Sequence, residues 1–401
     1  MRTINRLLQN FVRKNFSKIR EKQLGLKERA EKKIASIGFR MGRGCVCLNL
    51  KDINFGVAAG VPNFTLTLIP FLNRAHRDKF EIYFLFDGEI EQFPEIAEVL
   101  KVNKIIKKPD EVKYFYQFNF HHFQERELDC LFLSTFFHDL HVFTIPWKYD
   151  SNFQAERKLL RSVYEADVCV TYFPYTLRWL SSEKPFGKIL KVPQFTLIDV
   201  TEHGQSKVAQ KIDLSDSLNI FFPSHCQPHK NHSVVIKAVR ELTRRNQNVK
   251  LILTGNDESN DYVNQCRAMI SEYNIKDQVI WLDRVTEIDL IELYRVSDVV
   301  VQPSLAEGGA MIALEATLFG KPACVAAIPQ AKEALEELGK LRDVRWFEPN
   351  DHCELASQLE TFISQTRLKP EDVQFAEKKK YSFTNIERSA ELIYQNWPGI
   401  N

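Results

Sequence analysis

No apolar run in this chain reaches the roughly 18 residues that a membrane-spanning helix requires. Its first residues show neither the apolar core nor the cleavage site of a secretory leader. The eight cysteines (45, 47, 130, 169, 226, 266, 324 and 353) are scattered, with no CxxC and no paired spacing. That excludes a disulfide framework and a zinc site, and predicts reduced, mostly buried thiols in a cytosolic protein. No zinc-finger, RNP or helix-turn-helix signature is present, so a nucleic-acid partner is not expected. Gly-x-Ser-x-Gly and Walker A motifs are also missing, and no segment of 20–50 residues repeats.

What is present is a chain of 401 residues, 44% hydrophobic and 26% charged, enough for two domains with full-sized cores. Its 29 Phe and 12 Tyr read mainly as core and cleft lining. The net charge of +2 hides an asymmetry: residues 1–40 hold 12 Lys and Arg against 3 Glu, a local +9, so the other 361 residues carry −7. Within that segment Ile4, Leu7, Leu8, Phe11, Val12 and Ile19 recur at helical spacing between basic residues. The pattern predicts a basic amphipathic helix lying on an anionic membrane; the alternative is a helix docked on the protein's own body.

From residue 41 onward, short apolar runs alternate with helical patterns. "GCVCLNL" (44–50), "FEIYFLFDG" (80–88), "LDCLFLSTF" (128–136) and "VCVTY" read as strands, with helices over "FTLTLIPFLNRAHR" and "AERKLLRSVYEAD". After the polar stretch 201–217, "LNIFFPS", "VKLILTG", "QVIWLD", "DVVVQPS" and "KPACVAA" read as strands separated by helices. This βαβ alternation implies parallel sheets covered on both faces. The division reads as a basic helical extension (1–40), two Rossmann-like domains (41–205 and 206–375) and a C-terminal helical segment (376–401) that packs back on the first domain. Ligands of such domains bind at the carboxyl ends of the strands.

One of those ends carries the densest chemistry. Glu307 follows the buried strand "DVVVQPS", and Gly308 and Gly309 allow backbone to approach a ligand without a Cβ in the way. The helix opening near Ala310 points free N–H groups and a positive dipole end into the same space, where a phosphate fits. Glu315 is two turns further on and cannot touch the same atom as Glu307. The pair therefore suits two groups of one extended ligand: sugar hydroxyls at Glu307, a diphosphate at the turn and ribose hydroxyls at Glu315. The alternative is a plain strand–turn–helix with two surface charges.

The segment "PSLAEGGAMIALEATLFGKP" resembles the Glu-x7-Glu motif of retaining glycosyltransferases with the two-Rossmann GT-B fold, family 4. "FFPSHCQPHKNHSVVIKAV" is similar to that family's phosphate segment, in a His-Lys-Asn-His form common among bacterial surface-polysaccharide transferases. "FFHDLHVFTIP" is similar to its His-Asp-Leu element, and "GVAAGVPN" stands where its glycine loop follows the first strand. The likeness runs over residues 44–397, strong in the second half and diffuse in the first.

What the resemblance implies is specific. Lys230 would steady the leaving diphosphate, Glu307 would hold the donor sugar near its reacting carbon, and Glu315 would hold the ribose. Gly309, Ala310 and Met311 would form the turn that meets phosphate and sugar. His138 would line the sugar and acceptor site, with a core histidine as its rival, and Gly56 and Gly60 would belong to the glycine loop. Two departures stand out. Ser224 and His225 occupy the stretch where the family often has an Arg, so His225 joins the expected phosphate contacts. The usual Phe-Gly-Leu-Pro after Glu-Gly is here Gly309-Ala310-Met311-Ile312. His225, His229 and His232 raise a metal alternative, but Pro228 breaks any helix that would align them and no acidic ligand accompanies them. By resemblance no metal or other cofactor is expected.

These readings converge on an α/β chain of GT-B architecture. It is expected to move a hexose, with the His-Lys-Asn-His form leaning toward mannose, from a nucleoside-diphosphate sugar to a saccharide or lipid-linked acceptor in surface-polysaccharide or lipopolysaccharide synthesis. Its expected place is the inner face of the cytoplasmic membrane, held peripherally through residues 1–40. Two alternatives remain: a GT-B nucleotide-sugar epimerase, and an inactive relative that binds nucleotide or scaffolds an assembly.

Overall fold

The computed structural model describes residues 44–51, 60–76, 80–86, 104–106, 115–121, 126–127, 130–138, 154–183, 187–196, 216–255, 261–282, 284–339, 344–363 and 385–397, with 53, 124, 198, 208 and 212 between them. The basic stretch 1–40, Gly56 and nearly all of the polar stretch 201–217 lie outside the described residues.

In the first domain the elements run β1 (Gly44–Asn49), α1 (Gly60–His76), β2 (Phe80–Leu85), β3 (Lys104–Ile106), β4 (Phe115–Asn119), β5 (Cys130–Phe136), α2 (Gln154–Glu165), β6 (Val168–Thr171), α3 (Pro174–Glu183) and β7 (Lys188–Lys191). The second domain continues with β8 (Leu218–Pro223), α4 (His232–Arg244), β9 (Val249–Thr254), α5 (Asp261–Glu272), β10 (Val279–Trp281), α6 (Glu287–Val296), β11 (Val299–Gln302), α7 (Met311–Leu318), β12 (Ala323–Ala326), α8 (Pro329–Glu337), β13 (Val344–Phe347) and α9 (His352–Glu360). A last helix, α10 (Asn385–Gln395), follows. The described strands pair in parallel, in the orders β3-β2-β1-β4-β5-β6-β7 and β10-β9-β8-β11-β12-β13. Each sheet changes direction once, between β1 and β4 and between β8 and β11. At such a switch point the loops leaving two neighbouring strands part to opposite faces and open a crevice.

Continuous burial is what makes the short apolar runs strands of this kind. Every residue of β11 and β12 is buried, as a parallel strand covered on both faces requires. Helix α4 meets its sheet through Val235, Val239 and Leu242, spaced four and three apart so that all lie on one face. Helix α6 starts where Thr286 accepts a hydrogen bond from the Asp289 amide, a cap legible in the sequence. Glycine 60, expected in a loop, is instead the first residue of α1, with Pro62 in the opening turn where its missing N–H costs nothing.

Strand β4 is absent from the sequence reading because Gln117 and Asn119 break its apolar character. Both side chains are buried at the centre of the sheet, and each finds partners. Asn119 Oδ1 accepts from Asn49 Nδ2 (2.9 Å) and Gln117 Nε2 (2.8 Å), and Asn119 Nδ2 donates to the Gln124 carbonyl (2.9 Å). Satisfied amides of this kind are affordable in a core and fix strand register.

Helix α10 crosses back onto the first domain. Ile386, Ala390, Ile393 and Trp397 join its core, and Asn385 Nδ2 and Ser389 Oγ donate to the carbonyls of Gln194 (2.7 Å) and Pro193 (3.1 Å). The domains also meet along α8, where Arg178 of α3 pairs with Glu333 (2.7 Å) and Lys191 at the end of β7 pairs with Glu337. With Arg178 largely in water such pairs are worth less than about 1 kcal/mol each. Among the described cysteines, Cys47, Cys130, Cys169, Cys226, Cys266 and Cys324 are buried thiols, and Cys353 is exposed. No described helix is long and apolar enough to cross a membrane.

His232, the first residue of α4, is 1% exposed and packs between Phe222 and Trp281. Neither ring nitrogen has a hydrogen-bond partner, and the nearby Ser224 carbonyl offsets only part of the cost of burial, which pulls its pKa down to about 3. Between the ordinary value of 6.5 and about 3 the unfolded chain binds a proton that the folded chain refuses. Stability therefore falls as pH falls through that window. We expect His232→Phe to lose less stability than the parent chain on going from pH 7 to pH 4.5, by up to about 1.4 kcal/mol per pH unit below 6.5. Urea midpoints measured at each pH check this; parallel curves for the two proteins would show that His232 is not the responsible group.

Candidate functional site

The crevice between β8 and β11 is assembled from two strand exits that are bound to each other. After β8 the chain makes a short 3-10 turn, Pro228–Lys230, and Asn231 leaves it in the left-handed region at φ 59°. Asn is one of the few residues that enters this region at low cost. Its Nδ2 donates to the carbonyls of Pro303 (3.2 Å) and Pro349 (2.7 Å), while the Leu305 amide donates to the His229 carbonyl (2.8 Å). The turn carrying Lys230 is thereby fastened to the segment carrying Glu307. As a result Lys230 Nζ lies 2.7 Å from Glu307 Oε1, with the two side chains 15% and 17% exposed. Asn231 was not identified from sequence as part of the site; an Asn directly before a helix, where a left-handed residue is needed, was the available signal.

The neighbouring strand supports the same exit. Gly255 follows β9 at φ +119°, and a Cβ there would come within 2.6 Å of the His225 Cα and 2.7 Å of the Ser224 oxygen. Only glycine permits this backbone path and this approach. His225 and His229 lie edge to face with ring centroids 6.1 Å apart, whereas His232 is turned into the core. The three histidines therefore do not converge. Among the described residues no group of three or more His, Cys, Asp or Glu is arranged to hold a metal ion.

The glycine turn after β11 is held from below. Gln302, buried at the strand's last position, donates from Nε2 to the Gly309 carbonyl (3.2 Å) and accepts at Oε1 from the Ala313 amide (3.0 Å). Helix α7 opens after Ala310, as read from the sequence, but the Ala313 amide is already taken by Gln302 and is not offered to a ligand.

The glycine pair itself has a different neighbour from the one expected. The sequence reading assigned the space over Gly308 and Gly309 to a ligand. In the structure the first domain lies on the side where a Cβ would stand: a Cβ on Gly308 would overlap the His138 backbone oxygen and the Phe173 ring, and a Cβ on Gly309 would overlap the same ring. Met311 also turns to the first domain, packing against its core with Sδ 2.9 Å from Gln194 Nε2. Phe173, buried just after β6, carried no sequence signal because its partner is 135 residues away on another sheet. Its role follows only from the meeting of the two domains.

His138 is 7% exposed and enclosed by Phe64 and Phe136, with centroids at 4.5 and 4.8 Å. Its Nε2 donates to the Phe120 carbonyl (2.8 Å), and Nδ1 lies 3.5 Å from the Tyr172 hydroxyl. It is the backbone oxygen of His138, not its ring, that lies against Gly308. On the far side of the turn Glu315 is 8% exposed, and its Oε2 accepts a 2.8 Å hydrogen bond from the buried hydroxyl of Tyr294. Burial, with the Glu315 carboxylate next in weight, holds the Tyr294 hydroxyl well above the ordinary tyrosine range, so it remains a donor.

Two Rossmann-like domains, each built on a parallel sheet and meeting at the switch-point ends of their strands, define the GT-B class of fold. Comparison with known proteins agrees. Residues 205–380 match the family described as glycosyl transferases group 1. The chain is 26% identical over 183 residues to an uncharacterized glycosyltransferase of Methanocaldococcus jannaschii, and the match spans 45% of either chain, less than half of that relative's length. A glycosyltransferase structure from Rickettsia africae superposes with a TM-score of 0.64 at 15% identity, over 90% of this chain and 100% of that one. An Anabaena structure in complex with UDP-glucose superposes with a TM-score of 0.56 at 17% identity, over 88% and 94%.

The packing over the turn generates a direct expectation. Gly309→Ala should destabilise the chain by about 1–3 kcal/mol, as overfilling a packed site does. In a Phe173→Ala background the same substitution should cost less, because the ring it strikes is gone. Thermal or denaturant unfolding of the four proteins in this cycle checks it, and strictly additive effects would contradict the contact.

Proposed function

We propose that this chain is a retaining glycosyltransferase that moves a hexose from a nucleoside-diphosphate sugar to an acceptor hydroxyl. The observation that carries the reading is the Lys230–Glu307 contact at the β8/β11 switch point, with Glu315 buried beyond the glycine turn. Residues 77 positions apart bring one cation and one carboxylate to a single point of the crevice. A diphosphate needs the first, and sugar hydroxyls need the second.

In this reading Lys230 leaves Glu307 for the donor diphosphate and stabilises the charge that develops as the sugar carbon–oxygen bond breaks. His225 and the backbone at Ala310 and Met311 complete that contact. Glu307 then accepts hydrogen bonds from the donor sugar and fixes its reacting carbon. The acceptor oxygen bonds to that carbon on the face the diphosphate leaves, and the acceptor's proton passes to a diphosphate oxygen. Glu315 takes the ribose hydroxyls. The arrangement gives the leaving group its positive charge from the protein and calls for no metal ion.

The first domain would supply the acceptor side, near the exits of β1 and β4. His138 acts there through the wall it builds, its backbone oxygen against Gly308. A saccharide or lipid-linked acceptor of surface-polysaccharide or lipopolysaccharide synthesis, met at the inner face of a membrane through residues 1–40, is the finer form of the proposal. The UDP-glucose bound by the Anabaena neighbour supports a nucleotide-sugar donor in general. The His-Lys-Asn-His form leans toward mannose as the hexose.

Thermal shifts across UDP-, GDP-, ADP- and dTDP-sugars identify the donor, because a ligand that binds only the folded state raises its melting temperature. With that donor, Glu307→Ala should lower transfer by on the order of a hundredfold or more. Its melting temperature should stay close to the parent's. Retained activity in the variant would overturn the assignment of Glu307, and release of a rearranged nucleotide sugar without acceptor would point to an epimerase.

A further inference from the structure

Glu315 is more deeply buried than Glu307, and a carboxylate taken out of water needs a partner to remain charged in place. Tyr294 provides one from a different element, the last turn of α6. The tyrosine is itself immobilised. Its ring stacks on Phe319 with centroids 4.9 Å apart and 14° between planes, and meets Phe221 of β8 edge to face at 5.1 Å. The Ser297 hydroxyl donates to its backbone carbonyl (2.9 Å). A ring fixed on two sides delivers its hydroxyl to one place, and that place is 2.8 Å from Glu315 Oε2.

We propose that Tyr294 is a positioning residue for the donor: its hydroxyl sets the rotation of the Glu315 carboxylate and so sets how strongly the site prefers a ribose carrying both hydroxyls. The proposal rests on Glu315 as the ribose contact and adds the group that orients it. A carboxylate free to turn spreads its lone pairs over many directions and gains less from two hydroxyls at fixed spacing. A carboxylate with one oxygen engaged by a rigid donor is already oriented when the nucleotide arrives. Tyr294 touches neither the sugar nor the diphosphate in this arrangement, so its effect should fall on nucleoside recognition and leave the diphosphate contact alone.

The test uses the full chain and calorimetric binding of UDP and GDP, each beside its 2′-deoxy counterpart, with inorganic pyrophosphate as the probe for the diphosphate contact. Whichever nucleotide the parent chain binds, it should prefer over the deoxy form by about tenfold, the scale of a hydrogen bond to a charged group. Tyr294→Phe should reduce that preference to about twofold, with pyrophosphate affinity unchanged and, in transfer assays, a raised donor KM at constant kcat. Glu315→Ala should abolish the preference altogether. If Glu315→Ala keeps the preference, the ribose assignment of Glu315 fails and the proposal fails with it. If Glu315→Ala loses the preference while Tyr294→Phe keeps it in full, the assignment stands and the role of Tyr294 is overturned. Placing 4-aminophenylalanine at position 294 retains a donor and the packing, and guards against a Phe variant that does not fold. It should preserve the preference, and its loss in that folded variant would equally overturn the proposal.

Discussion

Two strand exits bound to each other are the constraint on which the candidate site depends. The chain leaves β8 and β11 on neighbouring strands, and the Asn231 side chain and the Leu305–His229 backbone bond hold those exits together. Neither Lys230 nor Glu307 has to search for the other, because the backbone beneath them is already fastened. Charge alone would not achieve this. A pair of flexible side chains at a surface gains little, since ordering them costs about what the attraction returns. Here the backbone has met the ordering cost during folding.

The glycine turn shows a second constraint, in which one piece of chain serves two domains. Gln302 grips it from the strand below, and Phe173 and the His138 backbone press on it from the opposite domain. A side chain on either glycine would push the domains apart, so the small residues there answer to packing between domains as well as to any ligand. Closure of the two domains and the shape of the turn are therefore one physical variable. The interdomain ion pairs that reach α8 lie nearer to water and add less.

Much of the second domain could be read along the sequence, because its elements declare themselves locally. Buried runs such as Val299–Gln302 and Ala323–Ala326 read as parallel strands, and α7 opens after Ala310 where the glycines end. The first domain was less legible. Strand β4 carries Gln117 and Asn119 into the core, which local pattern scores as loop and only the amide network with Asn49 and Gln124 makes affordable. In the second domain, strand β13 at the sheet edge buries only its two end residues, Val344 and Phe347, and gave too short a signal to separate from a turn.

By itself the sequence determined the alternation of strands and helices through most of the second domain, the residue types waiting at the strand ends, and the pairing of Glu307 and Glu315 with a glycine turn. Those features depend on neighbours within a few positions, and periodicity and turn chemistry express them directly. Only the tertiary structure decided that Lys230 meets Glu307, that Phe173 covers the glycines, that His138 turns its ring into an aromatic core, and that Tyr294 holds Glu315. Each of those contacts joins residues on different elements. They exist because parallel strands must be connected by crossovers, and the crossovers bring distant segments to the same end of a sheet.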